Sequence, residues 1–120
     1  MPSTWEQVVI DAEDPARLAR WWAEALGYRI THEDPAAVAV RRTPDSLPVL
    51  LFVPVPDAKT VKNRLHLDLR PDDQEAEVER LVDMGARPAD VGQSDAGWVV
   101  LADPEGNEFC VLESAPARTV

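Results

Sequence analysis

His66 stands in the run Asn63-Arg64-Leu65-His66-Leu67-Asp68-Leu69. Its alternation predicts a strand over residues 64–69, with Leu65, Leu67 and Leu69 on one face and Arg64, His66 and Asp68 on the other. Same-face neighbours on a strand lie about 6–7 Å apart. At that range a carboxylate fixes the tautomer of an imidazole and favours its charged form, while a guanidinium opposes it. His66 is therefore the candidate for a general acid or base. The competing reading is a structural histidine whose hydrogen bonds are satisfied. Cys110, the single cysteine, lies in Phe109-Cys110-Val111-Leu112. It reads first as a small buried hydrophobe. A reactive thiol there would need a cation such as His66 or Arg64 beside it to lower its pKa.

A second alternating run covers residues 6–12. Val8, Ile10 and Ala12 share one face, and Gln7, Val9 and Asp11 share the other. Asp14-Pro15 follows, an N-cap and a first-turn proline. Leu18, Trp21, Trp22, Ala25 and Leu26 then fall at helical spacing, and Gly27 ends the helix. Strands are expected over 28–32, 37–41 and 48–53, and the two prolines at 54 and 56 open a linker. The plan then repeats. After the strand at 64–69, Asp72 or Asp73 caps a helix containing Ala76, Val78, Leu81 and Val82, and Gly85 stops it. Strands are expected over 86–90, 98–102 and 108–112, with Asp103-Pro104-Glu105-Gly106-Asn107 as the turn between the last two. Residues 114–120 read as a frayed tail.

Equivalent positions recur at a nearly constant offset. Gln7 matches His66 and Asp14 matches Asp73, each 59 positions later, and Gly27 matches Gly85 after 58. Each helix must cover one face of its sheet. Both halves therefore turn ionisable or polar side chains to the opposite face. Such a face is either solvated or the wall of a cleft, and two related half-sheets that curl together make a cleft with convergent polar groups.

The bulk composition limits the function. A net charge of −10 argues against nucleic acid and against anionic membrane surfaces. Its simplest meaning is solubility, and it also favours cationic ligands. With 120 residues, 45% of them apolar, one core without staples is expected. One cysteine excludes an internal disulfide and suits a reducing compartment. No signal-peptide pattern opens the chain, and no apolar run approaches the roughly 20 residues of a membrane span. The expected location is the cytoplasm. Of the four tryptophans, Trp21 and Trp22 are expected in the core. Trp5 and Trp98 are freer, and Trp98 is a candidate aromatic wall for a flat or cationic ligand.

Four segments carry a family resemblance over about residues 5–113. They are Gln7-Val-Val-Ile-Asp-Ala-Glu-Asp14-Pro, Trp21-Trp22-Ala-Glu-Ala-Leu-Gly27-Tyr, Asn63-Arg64-Leu-His66-Leu-Asp68-Leu and Asp103-Pro-Glu-Gly-Asn107-Glu-Phe-Cys110. Together they resemble the vicinal oxygen chelate superfamily, in its glyoxalase-like and bleomycin-resistance branch. The resemblance implies an α+β fold of two tandem βαβββ modules forming an open, incomplete β-barrel. Here that means one glyoxalase-like domain over 1–120, with modules at 5–56 and 64–113 joined by a linker at 54–63. It also implies a homodimer.

Enzymes of that superfamily hold a divalent metal through His or Gln on first strands and Glu on last strands. Carried over, these positions fall on Gln7, His66 and Cys110, with the fourth at or near Leu51. Gln7, His66 and Cys110 are thus the ligand set if a metal binds. A thiol and a leucine at the two Glu positions deny a hard cation its carboxylates. The expected function is therefore metal-free binding of an aromatic or cationic metabolite or drug, with no cofactor. The expected site residues are Gln7, Val9, Asp11, Arg64, His66, Asp68, Trp98 and Cys110. Two alternatives are a metal-dependent lyase or isomerase of the glyoxalase type and a metal-free enzyme using His66.

Overall fold

The computed structural model describes residues 1–89 and 97–115, which divide between Ala58 and Lys59 into two compact units. In the first unit, strand β1 (Gln7–Ala12) leads to helix α1 (Pro15–Leu26) and to strands β2 (Arg29–Asp34), β3 (Ala37–Arg41) and β4 (Val49–Pro54). Asp14 caps α1, its Oδ1 accepting from the Arg17 N–H at 3.2 Å, and Pro15 supplies the first helical position. Gly27 ends the helix at φ 68°, a left-handed conformation open to glycine without a Cβ clash.

The sheet order is β1-β4-β3-β2, with β1 parallel to β4 and the other pairs antiparallel. Register places Val8 and Ile10 beside Leu50 and Phe52, and these beside Val40 and Val38. This face meets α1, whose Leu18, Ala19, Trp21 and Trp22 are buried. The two indoles pack edge to face at 5.0 Å. Core positions for Trp21 and Trp22 follow from the helical spacing, as expected. Trp5 is two-thirds exposed. Gln7, Val9 and Asp11 take the opposite, exposed face of β1.

The second unit repeats this topology with strands β5 (Asp68–Leu69), β6 (Arg87–Pro88), β7 (Val99–Ala102) and β8 (Glu108–Val111), ordered β5-β8-β7-β6. Again the first and last strands are parallel. Helix α2 (Gln74–Asp83) is capped by Asp73, whose Oδ1 accepts from Ala76 N–H at 3.1 Å. It buries Leu81, in a unit whose core also holds Leu101, Phe109 and Val111. The expected strand at 86–90 is paired at Arg87 and Pro88, and Asp90 lies outside the described residues. Of the tail, residues 116–120 also lie outside them.

One expectation fails. The strand expected over 64–69 enters the ladder only at Asp68 and Leu69, and Leu65 is 89% exposed rather than packed on a helix. The parallel ladder runs from Cys110 N–H to Leu67 O and from Leu112 N–H to Leu69 O. Continued backwards, it would set Arg64 opposite the turn before β8, where no strand backbone is available to bond. A strand without a partner has no outlet for its N–H and C=O groups, so the chain bends at Arg64 and Leu65. Among the described residues no helix is long and apolar enough to cross a membrane.

Candidate functional site

The pleat of the second sheet sends its even-numbered residues to the face away from Leu101, Phe109 and Val111. Antiparallel register sets Val100 beside Cys110 and Ala102 beside Glu108, and parallel register sets Asp68 beside Cys110. His66 precedes Asp68 by two and keeps its parity. A cavity of about 420 Å³ opens on this face. His66, Asp68, Glu108 and Cys110 line it together with Lys62 and an apolar wall of Trp98, Val100 and Leu112.

Of the residues expected from the sequence, the second unit thus brings together His66, Asp68, Trp98 and Cys110. Arg64 is exposed at the bend and is not part of the lining. Gln7, Val9 and Asp11 belong to the first unit, on the exposed face of β1 that also carries Leu51 of β4, paired with Val9. Glu108, which shares strand parity with Cys110, is part of the lining, and the same parity points to Val100 and Leu112. Lys62 precedes the strand, and no pattern marks it.

His66 Nε2 lies 3.2 Å from Asp68 Oδ1. One donor atom from each of His66, Asp68 and Cys110 falls within 4.8 Å of the others. Cys110 is almost buried. Burial pushes its thiol pKa up, and the charge of Asp68 and a hydrogen bond to it push it further, against a smaller opposing pull from Lys62. Activation of this thiol would need a cation whose pull outweighs burial and the Asp68 carboxylate, and that of Lys62 does not. Cys110 is therefore held as a thiol that donates to Asp68. Replacing Asp68 with Asn is expected to speed the reaction of Cys110 with a disulfide reagent at pH 8. The gain reaches at most about tenfold, the change in thiolate for one pKa unit, because burial remains. An unchanged rate in stopped-flow would show that Asp68 does not act on the thiol.

Glu108 is held from the other side. Its Oε1 accepts from Lys59 Nζ at 2.8 Å and its Oε2 from Asn63 N–H at 3.0 Å. Burial alone would raise its pKa, but the Lys59 hydrogen bond, the Asn63 N–H and the Lys59 charge outweigh it and hold the carboxyl below its ordinary value. Asn63 Nδ2 also donates to Asn107 Oδ1 at 3.3 Å, and Asn107 is tied to the buried Asp103. The stretch from Lys59 to Asn63, which leads into Lys62 and His66, is thereby fixed to the start of β8 and the turn before it.

Two βαβββ units with parallel outer pairs, a helix on one face and polar groups on the other define an α+β glyoxalase/bleomycin-resistance fold. Residues 7–112 match the family model described as a glyoxalase-like domain, and the chain belongs to that family. Among curated proteins none matches it by sequence. A trypanothione-dependent glyoxalase I of Leishmania major is 16% identical, with a TM-score of 0.70 over 93% of this chain and 87% of that one. An antibiotic-binding protein from a Streptomyces species is 18% identical, with a TM-score of 0.62 over 95% and 98%. A bleomycin-binding protein complexed with bleomycin is 18% identical, with a TM-score of 0.58 over 94% and 100%. At these identities the likeness is one of fold.

The divalent metal of the superfamily's enzymes can be tested against this donor set. The second unit groups one imidazole, one carboxylate and one buried thiol, the Glu108 carboxyl in the same cavity is tied to Lys59 and Asn63, and Leu51 has no donor atom. A hard cation such as Mg²⁺ or Mn²⁺ requires several oxygen ligands. These residues do not fit it.

Proposed function

We propose that this protein binds a small organic molecule, aromatic or cationic, in the cavity over β5, β7 and β8, and does so without a metal. The observation that carries this reading is the cavity itself: about 420 Å³, with the Trp98 indole and aliphatic groups on its wall and Asp68 among its polar groups. That size suits a metabolite or drug, and the combination of apolar wall and few polar groups is the usual composition of such sites. Asp68 supplies an anion and Trp98 an aromatic surface, the two groups that attract an organic cation. Two fold relatives, described as antibiotic-binding and bleomycin-binding, support the reading. The contact between His66 and Asp68 favours a second reading, metal-free acid–base chemistry by His66.

The test is a screen of aromatic cations by fluorescence in the presence of EDTA, with wild type and Trp98→Ala compared. Saturable quenching is expected in wild type, with affinity about tenfold weaker in the variant, consistent with roughly 1–2 kcal/mol for a desolvated cation–π contact. Binding abolished by EDTA would refute the metal-free assignment. Absence of saturable binding across the screen would refute the binding function. Turnover of a bound compound, lost in His66→Gln, would favour the second reading.

A further inference from the structure

The cavity carries charges of both signs that are not spent on each other. Glu108 is committed to Lys59 and to the Asn63 backbone. Among the described residues Asp68 meets His66 and the Cys110 thiol, and its side chain remains half exposed. Lys62 makes a long hydrogen bond, 3.5 Å, to the Asn63 carbonyl, and no ion pair joins it to Asp68. Both charges nevertheless act on the same atom. An Asp68 oxygen lies within 4.8 Å of Cys110 Sγ, and the Lys62 ammonium exerts an opposing pull on that thiol. Anion and cation therefore line one cavity beside β8, with Trp98 immediately before the neighbouring strand β7.

Resting on the small-molecule reading above, we propose that the ligand is amphoteric: an aromatic molecule with an ammonium group for Asp68 and an anionic group for Lys62, its ring against Trp98. A singly charged cation would satisfy Asp68 and leave its own positive end facing the field of Lys62. An anion would meet the reverse conflict at Asp68. A molecule bearing both groups satisfies both side chains and loses no favourable contact with the wall. The acidic balance of the whole chain favours cations at long range, but the local pair of opposite charges selects at short range.

Four indoles separate these contributions by isothermal calorimetry at low salt: indole, tryptamine, indole-3-acetate and tryptophan. Tryptophan is expected to bind at least about tenfold tighter than either singly charged compound, a difference of about 1.4 kcal/mol. Asp68→Asn should erase the advantage of tryptophan over indole-3-acetate. Lys62→Gln should erase its advantage over tryptamine. Both substitutions are at half-exposed or exposed side chains, so folding should survive, and circular dichroism checks that it does. Equal binding of all four indoles, or tightest binding of tryptamine, would overturn the amphoteric assignment and leave the binding function standing. No saturable heat from any of them would count against both.

Discussion

Replacing Asp103 with Ala is expected to destabilise the protein by about 3 kcal/mol, enough to shift a urea midpoint clearly. Asp103 is fully buried, and its carboxylate accepts from Glu105 N–H at 2.9 Å, Asn107 N–H at 3.0 Å and Asn107 Nδ2 at 3.1 Å. Its backbone closes the same turn, donating to Asn107 O and accepting from Gly106 N–H. Ala would leave two backbone donors and an amide without an acceptor inside the turn, and unmet buried donors cost about 1–3 kcal/mol each. The damage should spread to the site, because Asn107 holds Asn63. Asn at 103 keeps one acceptor oxygen and should recover part of the loss. A destabilisation below about 1 kcal/mol would show that water replaces the carboxylate.

The second large effect concerns Glu108. Its ion pair with Lys59 has side chains only 13% and 19% exposed, so solvent screens it weakly. Truncation to Ala leaves Lys59 part-buried without a counter-charge and Asn63 N–H without its acceptor. A loss of about 2–4 kcal/mol is expected, below the figure for a fully buried pair broken on one side. The acid limb of stability should change as well. The folded pKa of Glu108 lies below its ordinary value of 4.5. Its contribution is therefore complete above about that pH and disappears as pH falls through the folded value. Glu108→Gln cannot titrate, so its stability should fall less steeply than wild type below pH 4.5. Parallel acid limbs in chemical denaturation would show that the pair does not form in solution.

Both effects belong to parts of the chain whose legibility in the sequence differed. The turn at 103–107 was readable, because Asp, Pro, Gly and Asn in that order have few other conformations. The clamp from Lys59 and Asn63 to Glu108 was not. Residues 54–63 looked like a linker because their composition breaks strands. Composition says nothing about which distant carboxylate a linker's N–H and ammonium groups will find.

Local physics, present in the sequence, determined the elements. The caps at Asp14 and Asp73, the glycine stops, the alternation in β1 and the repeat near 59 residues all act over a few neighbouring residues or copy one another. Tertiary structure decided the site. Asp68 touches Cys110 because two strands far apart in sequence pair in parallel, in one register. A slip of one residue would turn every side chain of a strand to the other face. The same pairing stops at Leu67 and so leaves Leu65 in solvent, although the sequence alternates through it. Periodicity says which residues share a face. Only the partner strand says how far that face extends and what meets it there.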